Sequence, residues 1–454
     1  MSLFSSFAPL SSKQWKQQIQ YELKGADYTD SVVWDSPEGI QVRPFYHADQ
    51  AREPITSGGN DFFICQDIYV FDLEKSNRRA KESISRGANS LRFSIDDRNI
   101  DIGRLLDGLD LIGLRLYFKL GFLSREFAQK IDQAVAGKGA QVFILVDPIG
   151  HLAKGGNWFP GGDNFETSTA IAGLENCHGL SVDGTLYQNA GANMVQQLAY
   201  ILSHANEYLN RIPLARPMVL QVAVGPNYFF EIAKLRALRA LFNLIENEYG
   251  TSAGCHILAT PTRRNKTLYD YNVNMLRTTT ECMSAILGGA DTVSNLPYDA
   301  IYHKNNEFGD RIARNQLLIL KHESYFGAVT NPADGSYYIE SITAQMAEKA
   351  LALFKEIEAS GGLLKQLMQG TIQKKIAESA ASEQELFDSG KSILLGTNKH
   401  PNKTDRMEGE LELFPFVKIN PRKTLITPII ERRLAEKAEI KRLELEKNPE
   451  NTQS

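Results

Sequence analysis

The stretch V-F-I-L-V at 142–146 is apolar at five positions in a row. A strand with one wet face alternates apolar and polar residues. A strand of a parallel sheet is covered by helices on both faces and reads as a continuous apolar run. Working outward, short strand-like runs recur at 62–70, 90–93, 115–118, 179–182, 219–224, 255–259 and 291–294. Helical periodicity fills spaces between them, over 125–136, 192–208, 229–249, 274–287 and 311–323. Eight strands alternating with helices is the count of a closed (β/α)8 TIM barrel in the α/β class. An open doubly wound sheet has the same local pattern, and periodicity does not separate the two.

At 454 residues the chain exceeds one average domain, although a barrel of ~250 residues folds as one unit. Hydrophobic residues make up 43% and charged residues 23%, which suits a water-exposed protein with a large core. The net charge of −4 argues against nucleic acid or an anionic membrane as partner. Residues 1–10 lack a basic start, a long apolar run and a cleavage site, so no secretory signal is expected. No apolar run reaches the ~18 residues of a membrane span. Cys65, Cys177, Cys255 and Cys282 stand far apart, which predicts reduced, buried thiols and a cytoplasmic location rather than a disulfide or metal framework.

Outside the barrel, taken as 41–330, three further segments are expected. Residues 1–40 read as an arm. Ser12 starts a short helix that Gly25 stops, and an extended piece with Val32, Val33 and Trp34 follows. An arm that cannot bury Trp15, Val32, Val33 and Trp34 within itself is expected to pack on another surface, as an interface. Residues 331–430 read as a helical extension packing on the barrel, with helices over 344–359, 363–369 and 372–380 and irregular chain over 401–421. Residues 431–454 read as a charged tail whose helix spans 431–447, with Arg432/Glu436 and Arg442/Glu446 at i, i+4 spacing. Its charge density predicts a solvated helix, with a partner-clasping helix as the alternative.

Common catalytic signals fail. G-K-S at 390–392 lacks the glycine a phosphate loop needs five positions before Gly390, where Glu385 stands, and is expected as an exposed turn. No G-x-G-x-x-G follows a strand, and H-E-x-x-H and G-x-S-x-G are absent. Asp147 and Asp183 end the fourth and fifth strands, at the face where barrel enzymes do chemistry. Arg311 and Arg314 are three apart on one helix and are expected to share a surface or a carboxylate as a rim ion pair.

An ordered set of motifs remains. It comprises L-K-G-A-D-Y at 23–28, E-G-I-Q-V-R-P-F-Y at 38–46, D-G-T-L-Y-Q-N-A-G-A at 183–192 and F-F-E-I-A-K-L-R-A-L-R at 229–239. R-T-T-T-E at 277–281, A-I-L-G-G-A-D at 285–291, R-I-A-R-N at 311–315, N-P-A-D-G-S-Y-Y-I-E at 331–340 and L-L-G-T-N-K at 394–399 follow. Together these resemble the methylmalonyl-CoA mutase family. The resemblance implies a (β/α)8 barrel, decides against the open sheet, and implies radical chemistry on adenosylcobalamin with the CoA tail threaded along the barrel axis. Gly288-Gly289 would close a helix before the eighth strand with a left-handed cap.

The same resemblance exposes departures. Active members carry Tyr-His after the fifth strand, in a segment like G-Y-H-x-R-E-A-G-A. Aligned on Ala190-Gly191-Ala192, this chain has Thr185 and Leu186 there, and Gln188 and Asn189 in place of Arg and Glu. Leucine offers no donor to a thioester carbonyl, and threonine no aromatic wedge. An R-G-x-Y-x-x-M-Y-like segment is replaced by S-G-G-N-D-F-F-I at 57–64, and the Q-x-D-I-x-K-E segment is not visible in 151–178. The family's cobalt-ligating D-x-H-x-x-G is also missing, since none of the eight histidines has Asp two positions earlier. The implied chain is a small, non-catalytic subunit of a heterodimer with no cobalamin-binding domain. It would bind no cofactor or metal itself, and a large catalytic subunit would hold adenosylcobalamin. CoA contact by this chain is left open. An active barrel using a separate cobalamin protein is the alternative, and a mutase chaperone or regulator, lacking any nucleotide-binding signature, is the third reading.

Overall fold

The computed structural model describes residues 8–55, 61–213, 215–418 and 420–447. Nine strand segments form one parallel sheet, and two of them share a position, leaving the eight of a barrel. The first four are Phe63–Tyr69, Ser90–Ile95, Arg115–Leu120 and Gln141–Leu145. The sixth to eighth are Met218–Val224, Cys255–Pro261 and Thr292–Ser294. The fifth is broken: Cys177–His178 pairs with the fourth strand and Ser181–Asp183 with the sixth. The break still closes the cylinder. Ser181 N donates to Val146 O at 3.0 Å, and Val219 N donates to Leu180 O at 3.1 Å, so one stretch bonds to both neighbours. Gly179 sits at the break because a Cβ there would lie 2.5 Å from the carbonyl oxygen of Ile171 in the adjoining helix.

Strand side chains alternate in direction. Leu91, Phe93, Leu116, Phe118, Val142 and Ile144 face the helices in one apolar cluster, while Cys65, Tyr117, Phe143, Leu145, Val219 and Leu258 fill the lumen. All seven residues of the sixth strand are buried. Helices start where side chains cap free amides, as Asp72, Ser124, Asn193 and Asn306 do. Gly289, at φ +85°, takes the left-handed turn that ends helix Val273–Leu287.

Beyond the barrel, helix Tyr337–Ala359 lies over helices Met194–Leu209 and Tyr228–Glu248 as a second layer. This explains why 15 of the 16 residues of Met194–Leu209 are buried. Among the described residues after 330 the regular elements are helices, with one isolated bridge at Leu395 and Lys399. No helix of the described residues is long and apolar enough to cross a membrane.

Several boundaries differ from expectation. Helix Ser12–Glu22 is capped by Ser11. The extended piece expected with Val32, Val33 and Trp34 begins at Val33, because the Asp27 carboxylate caps a short helix, Tyr28–Val32, before it. Helix Glu307–His322 begins four residues before Arg311, at its Asn306 cap. Helix Tyr337–Ala359 also starts earlier than 344, and Thr371–Asp388 runs past 380. The C-terminal helix spans Glu436–Lys447, and only one side of it is solvated. Glu439 accepts from Leu268 N at 2.8 Å and pairs with Arg433 at 2.7 Å, and the Arg442 guanidinium covers the Tyr269 ring. One side of this helix is thus held to its own barrel, while Lys437, Lys441, Glu444 and Lys447 face water. The 448–454 end of the expected tail lies outside the described residues.

Candidate active site

The mouth at the C-terminal ends of the strands is where barrel chemistry occurs. Inward-facing side chains there bind each other. Arg92 Nε donates to Asp67 Oδ1 at 2.8 Å, its Nη2 bonds the other carboxylate oxygen, and Ser294 Oγ donates to Oδ1 at 2.8 Å. Lys119 Nζ donates to Asp183 Oδ2 at 3.1 Å, and the Thr185 hydroxyl takes Asp183 Oδ1. Burial pushes the Asp183 carboxyl up, but Lys119, Lys154 and the Thr185 hydroxyl more than offset it, and its pKa falls below the usual range. Arg92 and Lys119 thus answer the charges of Asp67 and Asp183, and Lys154 is paired with Glu431 at 2.7 Å.

Below the mouth the lumen is packed. The Tyr117 hydroxyl joins His256 Nε2 and Thr292 Oγ1, at 2.5 and 2.8 Å. Phe143 stacks on Tyr117 and His256 with centroids 5.0 and 4.6 Å apart, and His178 lies 4.7 Å from it. Burial drives His256 down to about 3 and His178 to about 4. Sequence reasoning passed over this group, although its signal is present: Arg115, Tyr117 and Lys119 alternate with Leu116, Phe118 and Leu120.

The four positions singled out from the sequence do not form one site. Thr185 stands at the mouth on Asp183. Leu186 is 3% exposed and belongs to the main apolar core. Gln188 Oε1 accepts from Lys234 Nζ at 3.1 Å, within a buried group where Lys234 also reaches Gln197, Ala223 O and the Glu231 carboxylate. Asn189 Oδ1 accepts from Thr262 Oγ1 and Arg263 N, both at 2.9 Å, and its carbonyl accepts from Arg432 N at 3.0 Å. All four are tied to the protein itself.

Asp147 is equally committed. It accepts from His204 Nε2 at 2.9 Å, Tyr208 Oη at 2.6 Å and the backbone of Gly150 and Asp183. Burial raises its pKa, and His204 and Tyr208 overcome that and leave it lowered. Arg311 and Arg314 do not share a carboxylate as expected. Asp310 is taken by Arg79 and Glu307 by Arg86, so Arg314 turns to Gln66 Oε1 at 2.9 Å and Arg311 to the Phe308 ring. Of the segment 57–64, residues 57–60 lie outside the described residues, while Phe63 lies under the Arg115 guanidinium, 3.7 Å from its ring centroid. In 151–178, His151 stacks on Phe159 at 3.7 Å.

Several motifs of the ordered set couple elements to one another. Arg236, wholly buried, joins Asp334 and Glu340 across helices Tyr228–Glu248 and Tyr337–Ala359. Lys266 pairs with Glu281 at 2.7 Å, and Arg277 Nη2 donates to Leu395 O at 2.6 Å. A profile described as methylmalonyl-CoA mutase matches residues 166–438, more than half of the chain. The chain belongs to the methylmalonyl-CoA mutase family. It is 31% identical to the methylmalonyl-CoA mutase small subunit of Porphyromonas gingivalis, over 89% of this chain and 72% of that one. With the Streptomyces virginiae methylmalonyl-CoA mutase small subunit it shares 28% over 89% and 73%. With the methylmalonyl-CoA mutase of Cereibacter sphaeroides it shares 30%, over 85% of this chain but only 64% of that one. In this mutase-family member the motifs at 229–239 and 331–340 meet at Arg236, and those at 277–281 and 394–399 meet at Arg277.

Proposed function

We propose that this chain is the small, catalytically silent subunit of a heterodimeric methylmalonyl-CoA mutase, the isomerase that interconverts succinyl-CoA and methylmalonyl-CoA. In this reading the large subunit holds adenosylcobalamin and does the chemistry, and this chain contributes binding surface and stability in the cytoplasm, within propionate metabolism. The observation that carries the reading is the state of the barrel. Leu186 stands where the family pattern has a histidine and is sunk in the core, and Tyr117, Phe143 and His256 occupy the axis a CoA tail would need.

The histidines in and beside the barrel lumen do not fit the role of a cobalt ligand. A cobalt-ligating histidine has to be free to turn toward the metal, held by a carboxylate behind it. His178 and His256 are packed on Phe143 in the lumen, His204 is buried against Asp147, and His151 lies flat on Phe159. Four free, buried cysteines suit a reducing compartment.

The test is turnover. The chain purified alone, given adenosylcobalamin and succinyl-CoA, is expected to form no methylmalonyl-CoA, whereas co-expression with a large mutase subunit gives an active 1:1 complex. Isomerisation by the isolated chain within a few fold of an active mutase would overturn the reading.

A further inference from the structure

Helices Leu73–Ser85 and Glu307–His322 leave a cleft of about 280 Å³ between them on the outside of the barrel. Five cationic side chains and three carboxylates line it, a formal excess of two positive charges. Two carboxylates are spoken for: Asp310 by Arg79, and Glu307 by Arg86 at 2.9 Å. Arg314 is left over. It is 6% exposed, Nη1 donates to Gln66 Oε1 at 2.9 Å, and Nε has no acceptor among the described residues. Among the described residues no carboxylate is in ion-pair range of it. Burial first, then Arg86 and Arg311, lower its pKa, and Glu307 offsets this only in part.

A buried guanidinium without a counter-charge is costly, and such a charge is kept where an anion answers it. The planar N–H array of arginine fits a tetrahedral oxyanion, to which lysine adds a movable point charge. We propose that this cleft binds a phosphate-class anion, either inorganic phosphate or a phosphate monoester, with the Arg314 guanidinium supplying charge from the floor and Arg86 and Lys75 closing on it from the rim. A doubly charged phosphate matches the excess of two, and the volume leaves room for a small organic group on the ester.

The test titrates the 454-residue chain with orthophosphate and, separately, with adenosine 3′-monophosphate, followed by calorimetry and by ³¹P resonance. One saturable site is expected. Arg314→Gln should weaken it by on the order of tenfold, the loss of a charged hydrogen bond, and the exposed Arg86→Gln by roughly threefold. In phosphate-free buffer Arg314→Gln should be no less stable than the parent, because it removes an uncompensated buried charge. Tighter binding of the ester would identify an organic phosphate as ligand and equal binding inorganic phosphate, and both support the site. No saturable binding up to about 10 mM would overturn it. So would affinity unchanged by Arg86→Gln together with a destabilised Arg314→Gln, which would mark Arg314 as structural.

Discussion

On the proposed reading, Leu186 is the side chain that most limits the chemistry of this barrel. Replacing Thr185 by Tyr and Leu186 by His would return two working groups to the sequence, but the pocket around Leu186 is already closed by the core. An imidazole there replaces an apolar side chain without a hydrogen-bond partner and should cost about 1–3 kcal/mol. The double variant is expected to be inactive even with a cobalamin domain supplied in trans, and less stable in urea. Recovered succinyl-CoA isomerisation would mean the axis is open after all. His256 gives a second test. Its folded pKa of about 3 lies below the ~6.5 of an unfolded histidine, so between those values the unfolded chain takes up a proton that the folded chain refuses. Stability therefore falls as pH drops through that window. Between pH 7 and 4.5 the parent should lose ~2 kcal/mol more than His256→Gln, read from urea midpoints at the two pH values. The Thr185-Leu186 pair was readable in the sequence because a known pattern surrounds it. The Tyr117–Phe143–His256 packing was not read, since Phe143 lies in a run apolar throughout and nothing local marks which residues turn inward.

Among the elements, the strands and the barrel helices read over 125–136, 192–208, 229–249 and 274–287 were legible to within a few residues, because their periodicity is repeated over several turns. Two boundaries were moved by one capping side chain, since Asn306 starts a helix four residues before Arg311 and Asp27 starts one in the arm. The larger misses, at Tyr337–Ala359 and Thr371–Asp388, have no side-chain cap at their starts. What local pattern could not supply is the partner of a charged residue. F-F-E-I-A-K-L-R reads as an amphipathic helix, yet Arg236 within it is wholly buried and binds Asp334 and Glu340 nearly a hundred residues later. Arg236→Met leaves the Glu340 carboxylate, itself buried, without its cation. The expected loss is about 3–5 kcal/mol by urea denaturation, and Arg236→Met combined with Glu340→Gln should recover part of it. A cost below ~1 kcal/mol for the single change would show that the two helices are held by apolar packing alone.

For the whole molecule the question is what the arm is for. Its anchor is short: Ile40 is fully buried in the barrel's core, and Ser36 accepts at its backbone from Gly39 and bonds through its hydroxyl to the turn that leads there. Before that point the contacts thin out. Trp15 meets Phe45 edge-on, Trp34 meets Phe230, and they remain 45% and 48% exposed, with Tyr21 at 80%. Aromatic residues are the usual anchors of a protein interface. Cutting the chain after residue 35 spares Ser36 and Ile40, so the barrel should keep its fold and its thermal midpoint should move little. The complex with the large subunit should suffer instead, with an affinity lowered by on the order of a hundredfold if two aromatic anchors are lost. Gel filtration and calorimetry of the truncated chain with its partner check both halves. Unchanged affinity would place the interface elsewhere, and a collapsed thermal midpoint would show that the arm serves its own barrel.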